Sequence, residues 1–176
     1  VTVEASAEGA TRLRFDGTLR MKRPFYPNHK DDNHVDATLI GHATVRGGIY
    51  PRSTADPEQV RALPFVTVSN GGNRNTTRDG VYDFTGGTAS VGLDGQFFRM
   101  NDNCGAISLS NSVNGNLDLG TGTGTDCATP GVGGAGNTHA SRTGFFHLTN
   151  INRKAAGFLP GNAWLDSRVT ANMNIN

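Results

Sequence analysis

The stretch ALPFVTVSNGGNRNTTRDGVYDF, residues 62–84, limits the fold of this chain more than any other. Short runs of β-branched and aromatic residues are cut at close intervals by Asn70-Gly71-Gly72 and by Asp79-Gly80. Asn-Gly and Asp-Gly pairs tolerate the left-handed backbone that tight hairpins require. A helix would need a period near 3.6 residues and an uninterrupted run, and this stretch offers neither. It predicts three strands, over 65–68, 75–78 and 81–84, joined by turns.

The same style extends in both directions. Residues 11–15 and 18–21 alternate about Asp16-Gly17 and predict a hairpin, and residues 35–45 predict a longer strand. Residues 24–33 and 50–61 read as loops, the second with a short helical turn after Asp56-Pro57. Residues 88–98 and 106–119 continue the strand pattern. Strands at this spacing predict a mainly β protein, an antiparallel β-sandwich over residues 1–120. The 24 glycines and 35% hydrophobic residues agree, since they favour turns and short strands over helices.

Residues 119–136, LGTGTGTDCATPGVGGAG, are low in complexity. A phosphate-binding reading fails, because no Gly-Lys-Ser/Thr and no GxGxxG opens a helix here. The stretch reads as a linker or surface loop over 121–136. After it the period changes. Phe145, Leu148, Ile151, Ala155 and Phe158 recur every three or four residues, which predicts one amphipathic helix over 138–158. Asn137 suits the N-cap, Pro160-Gly161 the end, and Gly144 and Gly157 each weaken the helix by about 1 kcal/mol relative to Ala. Residues 137–176 therefore form a helix-plus-strand region. Its strand is VTANMNIN, where Val169, Ala171, Met173 and Ile175 alternate with polar residues. These four are expected to form an interface with the helix face of Phe145, Leu148, Ile151 and Ala155. The strand's backbone partner is another strand of this chain, a downstream segment or a second molecule, with the downstream segment favoured.

A net charge of +1 without a Lys/Arg run argues against nucleic acid or an anionic membrane as partner. No apolar stretch is long enough to span a bilayer as a helix. The sequence opens on Val1 without a signal peptide and reads as processed or excised from something longer. Cys104 and Cys127, both in loop-like sequence, predict one disulfide and hence a secreted, extracellular protein; two free thiols are the alternative.

Residues that could carry chemistry are few. His29 and His34 enclose Asp31 and Asp32, but at no zinc-motif spacing, and read as a solvated loop. His139 and His147 are eight apart on the helix and are not a ligand pair, which leaves His147 to a hydrogen bond in a packed interface. Asp94, Asp102, Asp118 and Asp126 could supply calcium oxygens, without the EF-hand pattern. Ser141 lacks a Gly-x-Ser-x-Gly elbow and is not read as a nucleophile. Trp164 reads as a core anchor in preference to a sugar platform. No catalytic residue and no metal ligand is assigned.

Six short matches run through the last segment: Gly136-Asn137-Thr138, Phe146-His147-Leu148, Asn152-Arg153, Leu159-Pro160, Trp164-Leu165 and the Asn-rich 172–176. Together they resemble the region just upstream of the zinc motif in secreted bacterial metalloprotease-like proteins, related in style to the fungalysin and thermolysin gluzincins. Residues 62–84 more weakly resemble the transthyretin-like or carboxypeptidase-regulatory-like sandwich that precedes such domains. The zinc helix of those proteins carries HExxH, in which two His bind the metal and the Glu works on its water. None of the five histidines here stands in such a motif. The resemblance thus implies the non-catalytic N-terminal portion of a secreted zinc-metalloprotease-like protein, with zinc only in a downstream part. The alternative is an extracellular structural or adhesive β-module that self-assembles by strand addition.

Overall fold

Alternating burial marks several of the strands among the described residues. The computed structural model describes residues 4–5, 13–14, 41–122 and 138–175. They divide into two compact units, Val1–Gly41 and His42–Asn176. In the first, β1 (Glu4–Ala5) pairs antiparallel with β2 (Leu13–Arg14). The turn expected at Asp16-Gly17, the loop at 24–33 and the first part of the strand expected at 35–45 lie outside the described residues.

The second unit begins with β3 (Gly41–Ile49), β4 (Gln59–Ala62), β5 (Val66–Ser69) and β6 (Asn73–Asn75). It continues with β7 (Val81–Phe84), β8 (Ala89–Gly95), β9 (Phe98–Asp102), β10 (Leu109–Asn111) and β11 (Leu117–Asp118). Then come α1 (His139–Phe158), the short α2 (Ala163–Asp166) and β12 (Val169–Met173). One sheet has six strands, in the order β12-β9-β8-β5-β6 with β10 also on β8. The other has four, β11-β3-β4 with β7 also on β3. Inward residues of both, among them Val45 and Leu117 on one side and Val68, Leu93 and Met100 on the other, form a single core cluster. The described residues are mainly β, as expected, with these two sheets in the second unit. It is not wholly antiparallel: β11 runs parallel to β3 and β12 runs parallel to β9.

Several expected bounds shift for identifiable reasons. The Asn70-Gly71-Gly72 turn forms, with positive φ at both glycines. The strand after it covers 73–75 instead of 75–78, because Thr76 turns inward. Its hydroxyl accepts from Val66 N at 2.9 Å and donates to Leu63 O at 3.1 Å. The expected loop at 50–61 contains no helical turn and ends in β4, an edge strand exposed at all four positions. The boundaries expected at 120 and 137 do not separate two cores: Phe145 of α1 is fully buried within the same cluster as both sheets.

The helix starts where Thr138, not Asn137, serves as N-cap, its hydroxyl accepting from Ser141 N at 3.2 Å. Asn137 itself lies outside the described residues. Packing of α1 on the six-stranded sheet depends on two glycines. A Cβ on Gly95 would lie 2.7 Å from the Phe145 ring, and one on Gly144 would lie 3.0 Å from the Met100 and Met173 methyls. Gly144, a cost to the isolated helix, is what lets it approach β9 and β12 closely.

Candidate functional site

The described polar side chains with the least exposure converge on the first turn of α1. Residues 138, 141, 142, 145, 149 and 152 share one helix face, at spacings of three or four, and all are buried. Only Phe145 among them is apolar. The helix therefore buries a mostly polar face, and the expected apolar face is rotated partly into solvent. Ile151 is 65% exposed and Phe158 75% exposed, while Leu148 and Ala155 are half-buried.

Two carboxylates account for the buried Thr138, Ser141 and Arg142. Asp102, the last residue of β9, receives four hydrogen bonds. Its Oδ1 accepts from Cys104 N and from Asn174 Nδ2, each at 2.9 Å. Its Oδ2 accepts from the Thr138 hydroxyl at 2.5 Å and from the Ser141 hydroxyl. Burial pushes the Asp102 carboxyl up, but the hydrogen bonds from Ser141, Thr138, Asn174 and Cys104 outweigh it and hold the group below its ordinary value. One side chain thus ties together β9, the helix start and the residue after β12.

Glu58 does the same on the other side of the helix start. Its Oε1 accepts from Arg142 Nη2 at 2.8 Å and lies 3.1 Å from His139 Nδ1, and its Oε2 accepts from Gly122 N at 2.7 Å. Arg142, with no exposed side-chain surface, also donates from Nε to Gly48 O at 2.8 Å. Desolvation raises the Glu58 pKa, and the Arg142 and Gly122 hydrogen bonds with the His139 and Arg142 charges more than reverse it. His139 packs on the Tyr50 ring, centroids 5.3 Å apart. Each carboxylate is saturated by donors on its own framework, so both groups act as fasteners of the helix to the sheets. Sequence reasoning missed Glu58 and Arg142. Flanked by Ser141 and Thr143, Arg142 reads in the sequence as an ordinary polar position of the helix.

The terminal-strand residues fall as follows. β12 pairs with β9 in register, Val169 opposite Phe98 through Met173 opposite Asp102. One edge of the strand is therefore paired within this chain, where a downstream segment was the favoured partner. Val169, Ala171 and Met173 pack against the core. Ile175 does not: it is 64% exposed and outside the strand. Asn174 ends the alternation by taking φ 54°, which aims its amide at Asp102.

Other expected sites are scattered. Asp94 bonds Arg99 and Arg168, and Asp118 bonds Arg46, so neither joins Asp102, while Asp126 lies outside the described residues. No group of three or more metal-ligating residues occurs among the described residues. His29, Asp31, Asp32 and His34 also lie outside them. His147 Nε2 sits 2.9 Å from Tyr50 O, the kind of packed hydrogen bond expected of it. Trp164 is 63% exposed and does not anchor the core, a role its neighbour Leu165 takes. Cys104 is buried and no free cysteine occurs among the described residues, while Cys127, its expected disulfide partner, lies outside them. No described helix is long and apolar enough to cross a membrane.

Comparison of the chain with family models, with curated proteins and with solved structures finds no match.

Proposed function

We propose that this chain is the non-catalytic N-terminal portion of a secreted zinc-metalloprotease-like protein, in which β12 offers its outer edge to a further strand. The observation that carries this reading is the position of β12 at the end of the six-stranded sheet, paired on one side only among the described residues. An edge strand presents a row of N–H and C=O groups that template another strand. The exposed apolar side chains of Ile151, Phe158 and Trp164 belong to the helical segment that leads into it. The motif matches in 136–176 supply the class of protein, and any zinc belongs to the added part.

The test compares the 176-residue chain with the product of the complete reading frame. The longer protein is expected to carry HExxH, to cleave casein in a chelator-sensitive way, and to protect amides of residues 169–173 that exchange in the shorter chain. A reading frame without HExxH, with unchanged exchange at 169–173, would overturn the proposal. The same edge also serves the second reading, self-assembly by strand addition. That reading expects concentration-dependent dimers of the 176-residue chain in sedimentation, with protection of 169–173 rising alongside.

A further inference from the structure

The outer face of the six-stranded sheet carries a groove of about 550 Å³, within the size range of small-ligand sites. Its lining is small and polar: Thr67 and Ser69 of β5 and Ser90 of β8 contribute hydroxyls, and Gly92 of β8 contributes no side chain. Charge enters at one point only. Asp94 Oδ2 accepts from Arg99 Nε at 3.0 Å and Nη2 at 2.6 Å, and Asp94 Oδ1 accepts from Arg168 Nη1 at 3.1 Å. Arg99 comes from β9, and Arg168 directly precedes β12.

The strand geometry places this cluster. Val66 pairs with Gly95 and Val68 with Val91, so β8 advances four residues while β5 advances two. The excess is a bulge over 92–94, and Leu93 within it has φ 50° with its side chain fully buried. A bulky residue in the left-handed region is an outlier that needs support from its surroundings, and bulges commonly re-aim a neighbouring side chain. Here Leu93 goes to the core and Asp94 to the groove, where it fixes two guanidinium planes.

Two arginines on one carboxylate leave a net positive charge. Asp94 takes three N–H groups, whereas a guanidinium carries five, and both side chains are about half exposed. Planar forks held this way match a carboxylate. The hydroxyl-bearing rows match sugar hydroxyls, and Ile107 gives a short apolar contact. We propose that this groove binds an acidic saccharide, its carboxylate on Arg99 and Arg168 and its hydroxyls along the Thr67 and Ser90 rows. The site is independent of the β12 edge and of any protease.

Titration of the ¹⁵N-labelled chain with trigalacturonate tests it, with neutral galactotriose and sodium sulfate at matched ionic strength as controls. Trigalacturonate is expected to shift the Ser90, Gly92 and Arg99 amides saturably, and galactotriose to bind at least tenfold more weakly. R168A should weaken trigalacturonate binding about tenfold, and R168K, which keeps the charge without the fork, should weaken it by an intermediate amount. Unchanged dispersion of the core amides establishes that both variants fold. Equal binding of the neutral sugar, equal binding of the uronate to R168A, or equal occupancy by sulfate, an oxyanion site only, would each overturn the proposal.

Discussion

Asp102 shows how one residue can decide whether distant segments meet. Its four donors come from residues 104, 138, 141 and 174. Asp102→Asn removes the charge that strengthens each bond and forces one amide N–H against donors. The expected loss is about 3 kcal/mol, read as a lower urea midpoint at pH 7. The pH dependence follows from the same contacts. Because the native carboxyls of Asp102 and Glu58 lie below their ordinary values, the unfolded chain takes up protons first as the pH falls. Their contribution is complete above about pH 5 and is lost as the pH drops through about 4 and then through the lowered native values. Urea midpoints should fall between pH 5 and pH 3, and Asp102→Asn should flatten that fall. At Cys104 the expectation is a disulfide to Cys127, worth about 3 kcal/mol in the chain-entropy model. Intact mass after alkylation without reductant should show no added label, and two labels would refute the bond.

Among the elements, α1 has the most to lose from a small change. Phe145→Ala would empty the space between the helix and Gly95, and a loss of about 3–5 kcal/mol is expected in denaturant titration. Met173→Asp would set a carboxylate beside Gly144 and Met100. Faster hydrogen exchange in 139–158 and 169–173 is expected, with 66–69 still protected; unchanged exchange in β12 would count against its role as a packed strand. Three strands with one buried face, β5, β8 and β12, were legible in the sequence, because alternation records burial directly; β9 was not, since the strand pattern was read only as far as Phe98. The extent of α1 was legible too, enclosed by a regular apolar repeat and a Pro-Gly stop. Its orientation was not legible. Apolar period alone pointed Ile151 and Phe158 inward, whereas the helix turns toward Asp102 and Glu58, partners 36 and 84 positions away from Thr138 and Arg142. Edge strand β4 was illegible for the opposite reason: with all its residues exposed, it carries no pattern. The groove on β8 was equally hidden, since a bulge depends on pairing register and not on residue type.

Purified without any added part, the whole molecule is expected to show no chelator-sensitive casein cleavage and no stoichiometric zinc by elemental analysis; both together would contradict its assignment as the non-catalytic portion. The parallel pairing of β12 with β9 has a further consequence for how the chain is made. Asn101 and Asn172, cross-strand neighbours joined by a 2.8 Å hydrogen bond, are 71 positions apart. A β-hairpin closes within microseconds, but this pairing must wait for the distant strand to exist. At a synthesis rate of about 5–20 residues per second, β9 emerges roughly 4–14 s before its neighbour does. Throughout that interval its outer edge and the Met100 surface are open to other nascent chains, so yield in vivo should depend on holdase chaperones and improve at slower initiation, when fewer such chains share a message.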